Sequence, residues 1–263
     1  MFNNKPIGIF DSGVGGTSIW KEIHTLLPFE NTIYLADSKN APYGYKSVDE
    51  IISLSIKNTE LLLEMGCKII VVACNTATTN AISILRKQFN VPIIGIEPAI
   101  KPAALKTQSK NIGILATKGT LNSNLFITTS GEVTNDISII EVIGEGLVPL
   151  IEKGNINNEE TILLLKRYLQ PMLKANIDYL VLGCSHYPYL IPLLKELLPE
   201  KVSIIDSGEA IARQTKNILE LYNLASLSKE NPKLEFYSNS DIKTIQLFLR
   251  DYSDKVSVKY RSF

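Results

Sequence analysis

Nine short apolar runs recur along the chain, at 6–10, 32–36, 68–73, 92–96, 111–116, 138–142, 179–183, 202–205 and 233–237. Runs of this length are too short for helices and read as strands buried on both faces. Helical patterns with readable ends lie between several of them. Ser47-Val48-Asp49-Glu50 has the form of a capping box, and Gly66 closes the same helix after Leu61-Leu62-Leu63-Glu64-Met65. Strands that alternate with helices predict a parallel sheet in an α/β fold.

The chain also repeats itself. Ile7-Gly8-Ile9-Phe10-Asp11-Ser12 resembles Ile112-Gly113-Ile114-Leu115-Ala116-Thr117, 105 positions on. Ile69 to Cys74 matches Tyr179 to Cys184 at a spacing of 110, and the segment 94–100 matches 205–211 at 111. Three matches in one order predict two similar three-layer α/β domains with mostly parallel sheets. Two such halves facing each other would enclose a cleft, a common site for a small ligand. Cys74 and Cys184 would then stand on opposite walls of it.

Each of these cysteines ends an apolar run and precedes polar residues, Asn75-Thr76-Ala77-Thr78-Thr79 and Ser185-His186-Tyr187-Pro188. That places both thiols at the carboxyl ends of strands, where open α/β sheets bind ligands. A helix amino terminus beside each is expected to lower its pKa below the free value of about 8.5. Two such thiols suggest a pair of acid/base groups facing one substrate. Cys67 lacks polar neighbours and reads as a buried structural thiol.

Composition removes several classes. The 27 basic and 27 acidic residues cancel among 263, so neither nucleic acid nor an anionic membrane is an expected partner. No apolar run approaches the roughly 20 residues of a membrane span. No secretion signal is read at the start, and three sparse cysteines make no disulfide framework. A cytoplasmic protein with reduced thiols is the expectation.

Other segments carry rival readings. Asp11-Ser12-Gly13-Val14-Gly15-Gly16-Thr17-Ser18 is a tight turn N-capped by Asp11, an anion-binding loop, or part of a dinucleotide fingerprint with Asp37 as the ribose acid. Ser18 stands where that fingerprint wants its third glycine. Asn40-Ala41-Pro42-Tyr43-Gly44 has turn chemistry. Of the two histidines, His24 reads as a surface helix residue, while His186 lies two places after Cys184 as an acid, a base or a thiolate's charge partner. A metal site from Cys74, Cys184 and His186 lacks the close ligand spacing of zinc motifs. Glu152 reads as an exposed residue, or else as a buried acid at a helix start.

Asp11-Ser12-Gly13-Val14-Gly15-Gly16, Pro42-Tyr43-Gly44, Ala73-Cys74-Asn75-Thr76-Ala77 and Gly183-Cys184-Ser185-His186-Tyr187-Pro188 together resemble the motifs of bacterial glutamate racemases. The resemblance covers most of the chain and keeps the family's order. It implies a cofactor-independent racemase that interconverts L- and D-glutamate, the latter for peptidoglycan. By position, Cys74 would serve D-glutamate and Cys184 L-glutamate, with Asp11 assisting the first and His186 and Glu152 the second. Asp11, Ser12, Pro42, Tyr43, Gly44, Cys74, Asn75, Thr76, Cys184, Ser185 and His186 would bind substrate, with no metal. The resemblance further implies residues 1–98 plus 210–263 as the first domain, 99–209 as the second, and a homodimer. Ser185 replaces the family's usual threonine, keeping the hydroxyl. Relatives that racemise aspartate usually carry glutamate at the position of His186, so glutamate is the expected substrate. Another amino-acid racemase and an inactive carboxylate-binding module are the alternatives.

Overall fold

In the computed structural model, which describes residues 4–133 and 136–263, the apolar runs form two separate parallel sheets. The strands are β1 (Ile7–Asp11), β2 (Thr32–Ala36), β3 (Ile69–Val72), β4 (Ile93–Gly95), β5 (Asn111–Ala116), β6 (Ser138–Ile143), β7 (Tyr179–Gly183), β8 (Ser203–Ile205), β9 (Leu234–Ser238) and β10 (Val256–Tyr260). The first sheet has the order β10-β9-β2-β1-β3-β4 and the second β6-β5-β7-β8. Four strands of the first therefore repeat the winding of the second. Their registers agree as well. Ile9 pairs with Tyr34 and Val71, while Ile114 pairs with Glu141 and Val181. Val71 pairs with Ile94 as Val181 pairs with Ile205. The internal repeat is thus a repeat of whole α/β units.

β10 is not among the nine expected strands. It lies at the edge of the first sheet beside β9, and its residues are half-buried or exposed. Such a strand needs only an alternating pattern, which a search for continuous apolar runs passes over.

Local signals build the helices as expected. Ser47 caps the helix Val48–Glu64, accepting from the Glu50 amide while the Glu50 side chain reaches back to the Ser47 amide. Gly66 stops that helix with φ +84°, a conformation glycine adopts without a side-chain clash. One apolar cluster runs from Ile9, Trp20 and Tyr34 of the first half to Leu147, Ile151 and Tyr187 of the second. Burial of that surface holds the halves face to face. His24 is half-buried and stacked on Trp20, ring centroids 5.1 Å apart, so it is not the surface residue expected. Cys67 is buried and its thiol is pushed up to about 12 by that burial, as a structural thiol's should be.

Candidate active site

Cys74 stands just past β3 as the N-cap of the helix Asn75–Gln88, and its sulfur accepts from the Ala77 amide at 3.5 Å. Its thiol also points at Ser12 Oγ, 3.7 Å away. The helix terminus does favour a thiolate here, but it does not decide the outcome. Burial raises the thiol's pKa well above the ordinary value, and the nearby Asp11 carboxylate raises it further. The expected lowering at Cys74 is therefore overturned: the desolvation of a fully enclosed sulfur outweighs one backbone hydrogen bond.

Asp11 ends β1 and is fully buried. Its Oδ2 accepts from the amides of Gly13 at 3.3 Å and Gly16 at 2.9 Å, and its Oδ1 accepts from Ser185 Oγ at 3.1 Å. Gly16, not Asp11, occupies the cap position of the helix Thr17–Leu26. Asp11 is thus the keystone of the loop rather than a helix cap. Burial holds its own pKa above the usual carboxylate range, against the pull of His186.

Cys184 follows β7, but the chain turns there into a 3-10 turn, Tyr187–Leu190, before the helix Ile191–Leu197. The two thiols are alike in strand position and unlike in the segments that come after them. His186 Nδ1 lies 3.8 Å from the Cys184 sulfur, and His186 Nε2 lies 2.5 Å from Glu152 Oε1. The same Oε1 accepts from the Val14 amide at 2.7 Å, across from the first half. Ser38 Oγ donates to Oε2 at 3.4 Å. Burial alone would push the imidazole down. Cys184, Glu152 and Asp11 reverse this and hold His186 well above its ordinary value. A cation therefore stands beside Cys184, while a buried carboxyl group stands beside Cys74. Glu152 corrects the sequence reading twice: it ends the helix Leu147–Glu152 rather than starting it, and its side chain is only 15 % exposed.

The glycines after Asp11 exist for this dyad. A β-carbon on Gly13 would overlap the Glu152 carboxylate, and one on Gly15 would overlap the His186 ring. The space a pyrophosphate would need is filled by side chains of the other half, so the dinucleotide reading fails. Asp37, its supposed ribose ligand, is fully buried and accepts from Tyr43 Oη at 2.5 Å, Asn40 Nδ2 at 2.7 Å and Asn239 Nδ2 at 2.5 Å. It anchors the turn that carries Pro42, Tyr43 and Gly44.

Ten of the residues singled out in the sequence line one small cavity: Ser12, Pro42, Tyr43, Gly44, Cys74, Asn75, Thr76, Cys184, Ser185 and His186. Asp11 and Glu152 are not among the lining residues but hold Ser185 and His186, which are. Thr117 and Val148 complete the lining and were missed. Thr117 was signalled by the repeat, since it occupies after β5 the place of Ser12 after β1. No lysine or arginine lines the cavity. Among the described residues, no group of three His, Cys, Asp or Glu side chains is arranged to hold a metal ion.

The family described as Asp/Glu/hydantoin racemase matches residues 7–215. The glutamate racemase of Cupriavidus pinatubonensis is 45% identical over 239 residues, 91% of this chain and 88% of that protein. The structure of glutamate racemase isoform RacE1 from Bacillus anthracis superposes with a TM-score of 0.87 at 30% identity, covering 99% of this chain and 98% of that one. Escherichia coli glutamate racemase, solved in complex with L-glutamate and the activator UDP-MurNAc-Ala, superposes with a TM-score of 0.86 at 33% identity, covering 98% of each. With that match over most of the chain and nearly the full length in common with these relatives, this chain belongs to the Asp/Glu/hydantoin racemase family.

Proposed function

We propose that the chain racemises glutamate by moving the α-proton between two thiols, Cys184 taking it from L-glutamate and Cys74 from D-glutamate. The observation that carries this reading is the pair of buried cysteines at the ends of equivalent strands, β3 and β7, both lining one cavity. An α-proton is a very weak acid, and a single base would return it to the face it left. Two groups on opposite faces, one thiolate and one thiol, invert the centre and exchange roles in the reverse direction. His186 offers a counter-charge to a thiolate on Cys184, and Glu152, itself held by the Val14 amide, fixes the imidazole in place.

The substrate's two carboxylates meet hydroxyls and amides rather than fixed cations. Ser12, Asn75, Thr76, Thr117 and Ser185 line the wall, and the amino terminus of the helix Asn75–Gln88 adds its partial positive charge. Dipoles fixed in a closed cavity also stabilise the carbanion that forms as the proton leaves.

Deuterium wash-in at the α-carbon tests the reading. In deuterium oxide both enantiomers should exchange their α-proton and interconvert. Cys74→Ser should stop interconversion yet still exchange L-glutamate, and Cys184→Ser should still exchange D-glutamate. Absence of exchange from both enantiomers in the unmodified protein sinks the proposal, and so does full racemisation by either variant.

A further inference from the structure

A two-thiol racemase ends each turnover in the wrong protonation state for the next. After L-glutamate has become D-glutamate, Cys184 holds a proton and Cys74 has lost one. Before a second L-glutamate can react, a proton must return from one sulfur to the other. The structure offers a path for it. Ser185 Oγ lies 3.1 Å from Asp11 Oδ1 and 3.5 Å from His186 Nδ1, and that same nitrogen lies 3.8 Å from the Cys184 sulfur. Ser185 is 2% exposed, His186 1% and Asp11 0%, so in the closed form these groups are shielded from bulk water. Ser185 comes from the second half and Asp11 from the first, so their hydroxyl–carboxylate bond links the two acid/base sides.

We propose that Ser185 is the relay that resets the enzyme between turnovers, an inference that rests on the racemase reading above. His186 Nδ1–H passes its proton to Ser185 Oγ as the Ser185 hydroxyl passes its own to Asp11 Oδ1. Asp11 gives that proton to the Cys74 thiolate, which stands beside it past the end of the neighbouring strand, where the Ala73 amide donates to the Phe10 carbonyl at 2.8 Å. The vacated Nδ1 takes the proton of the Cys184 thiol. One proton leaves the Cys184 sulfur and one reaches the Cys74 sulfur. Ser185, His186 and Asp11 finish as they began, and no electrons change hands. Two features suit the groups to this work. Burial holds Asp11 above the usual carboxylate range, which suits it to carry a proton, and its charge raises the Cys74 thiol. Cys184, Glu152 and Asp11 raise the His186 pKa against its burial, which favours the form that donates.

Tracer perturbation measures the reset separately from the chemistry. Radiolabelled glutamate at D/L equilibrium receives a large excess of unlabelled L-glutamate. When reset is slow, the unlabelled flow leaves the enzyme in its D-binding form, and label is driven transiently toward L. The product of the concentration at which this begins and kcat/KM reports the reset rate. Ser185→Ala should lower that rate by about tenfold or more, the low end for losing a positioned proton-transfer group. Ser185→Thr, which keeps the hydroxyl, should leave it near the unmodified value. An unchanged reset rate in Ser185→Ala overturns the relay. Should that variant not fold, the unmodified protein still decides. The reset rate in mixtures of light and heavy water should follow a bowed curve, because several protons move together, whereas a straight line overturns the relay. Racemisation by the unmodified protein, measured first, tests the underlying reading on its own.

Discussion

Asp11 is the residue where charge and burial meet most directly. It raises the Cys74 thiol after burial has already done so, and it is held by two backbone amides and Ser185. Asp11→Asn keeps the volume and removes the charge. With no carboxylate opposing it, a Cys74 thiolate forms more easily, so its pKa falls. The alkaline limb of kcat/KM, where the thiol form of the pair is lost, should therefore move to lower pH. Glutamate enantiomers are equal in energy, so kcat/KM must be equal in both directions at each pH, and the limb should move together for both. A limb that stays put or rises would show that Asp11 does not govern Cys74. Residue chemistry of this kind is partly legible in the sequence. Cys74, Cys184 and His186 announce themselves by type and position, but Glu152 does not. Its partners Val14 and His186 lie 138 and 34 positions away, and only the fold joins them.

At the scale of elements, local rules and tertiary context divide the work. The helix Val48–Glu64 starts and stops where its own residues say, because a capping box and a closing glycine are satisfied within a few positions. Ser47→Ala should lower unfolding free energy by about 1 kcal/mol, the usual worth of such a cap. Urea denaturation measures it, and racemase activity should be retained because Ser47 does not line the cavity. A loss well under half that value would mean tertiary packing alone holds this end. The second cysteine shows the opposite case. By analogy with Cys74, His186-Tyr187-Pro188 predicts a helix start, yet there the chain makes a 3-10 turn. That turn brings His186 back toward the sulfur of Cys184, whereas the helix after Cys74 directs an amide at its sulfur instead. β10 escaped for another reason: Val256-Ser257-Val258-Lys259-Tyr260 alternates apolar and polar residues, as an edge strand beside β9 allows, and a search for continuous runs passes over it.

For the whole molecule, the decisive fact is that the two halves close on each other through polar links at the rim of the cavity. Ser18 Oγ donates to the Ser185 carbonyl at 2.9 Å, Thr76 and Thr117 hydroxyls meet at 2.8 Å, and Asn80 Nδ2 donates to the Gly119 carbonyl at 3.0 Å. A small cavity with these bonds across it must open for glutamate to enter and leave. Asn80 belongs to this closure without lining the cavity. Asn80→Ala removes one neutral hydrogen bond between the halves, worth about 1 kcal/mol net, so the closed state should be weakened by roughly fivefold. Because chemistry occurs only once the halves have met, that loss should fall on KM for both enantiomers. The value of kcat should hold, or rise where release of product limits turnover. Steady-state rates in each direction give the two constants separately. A fall in kcat at constant KM would instead place Asn80 in the alignment of Thr76, whose carbonyl it also holds at 2.8 Å. That outcome would move the closing function to the Thr76–Thr117 pair.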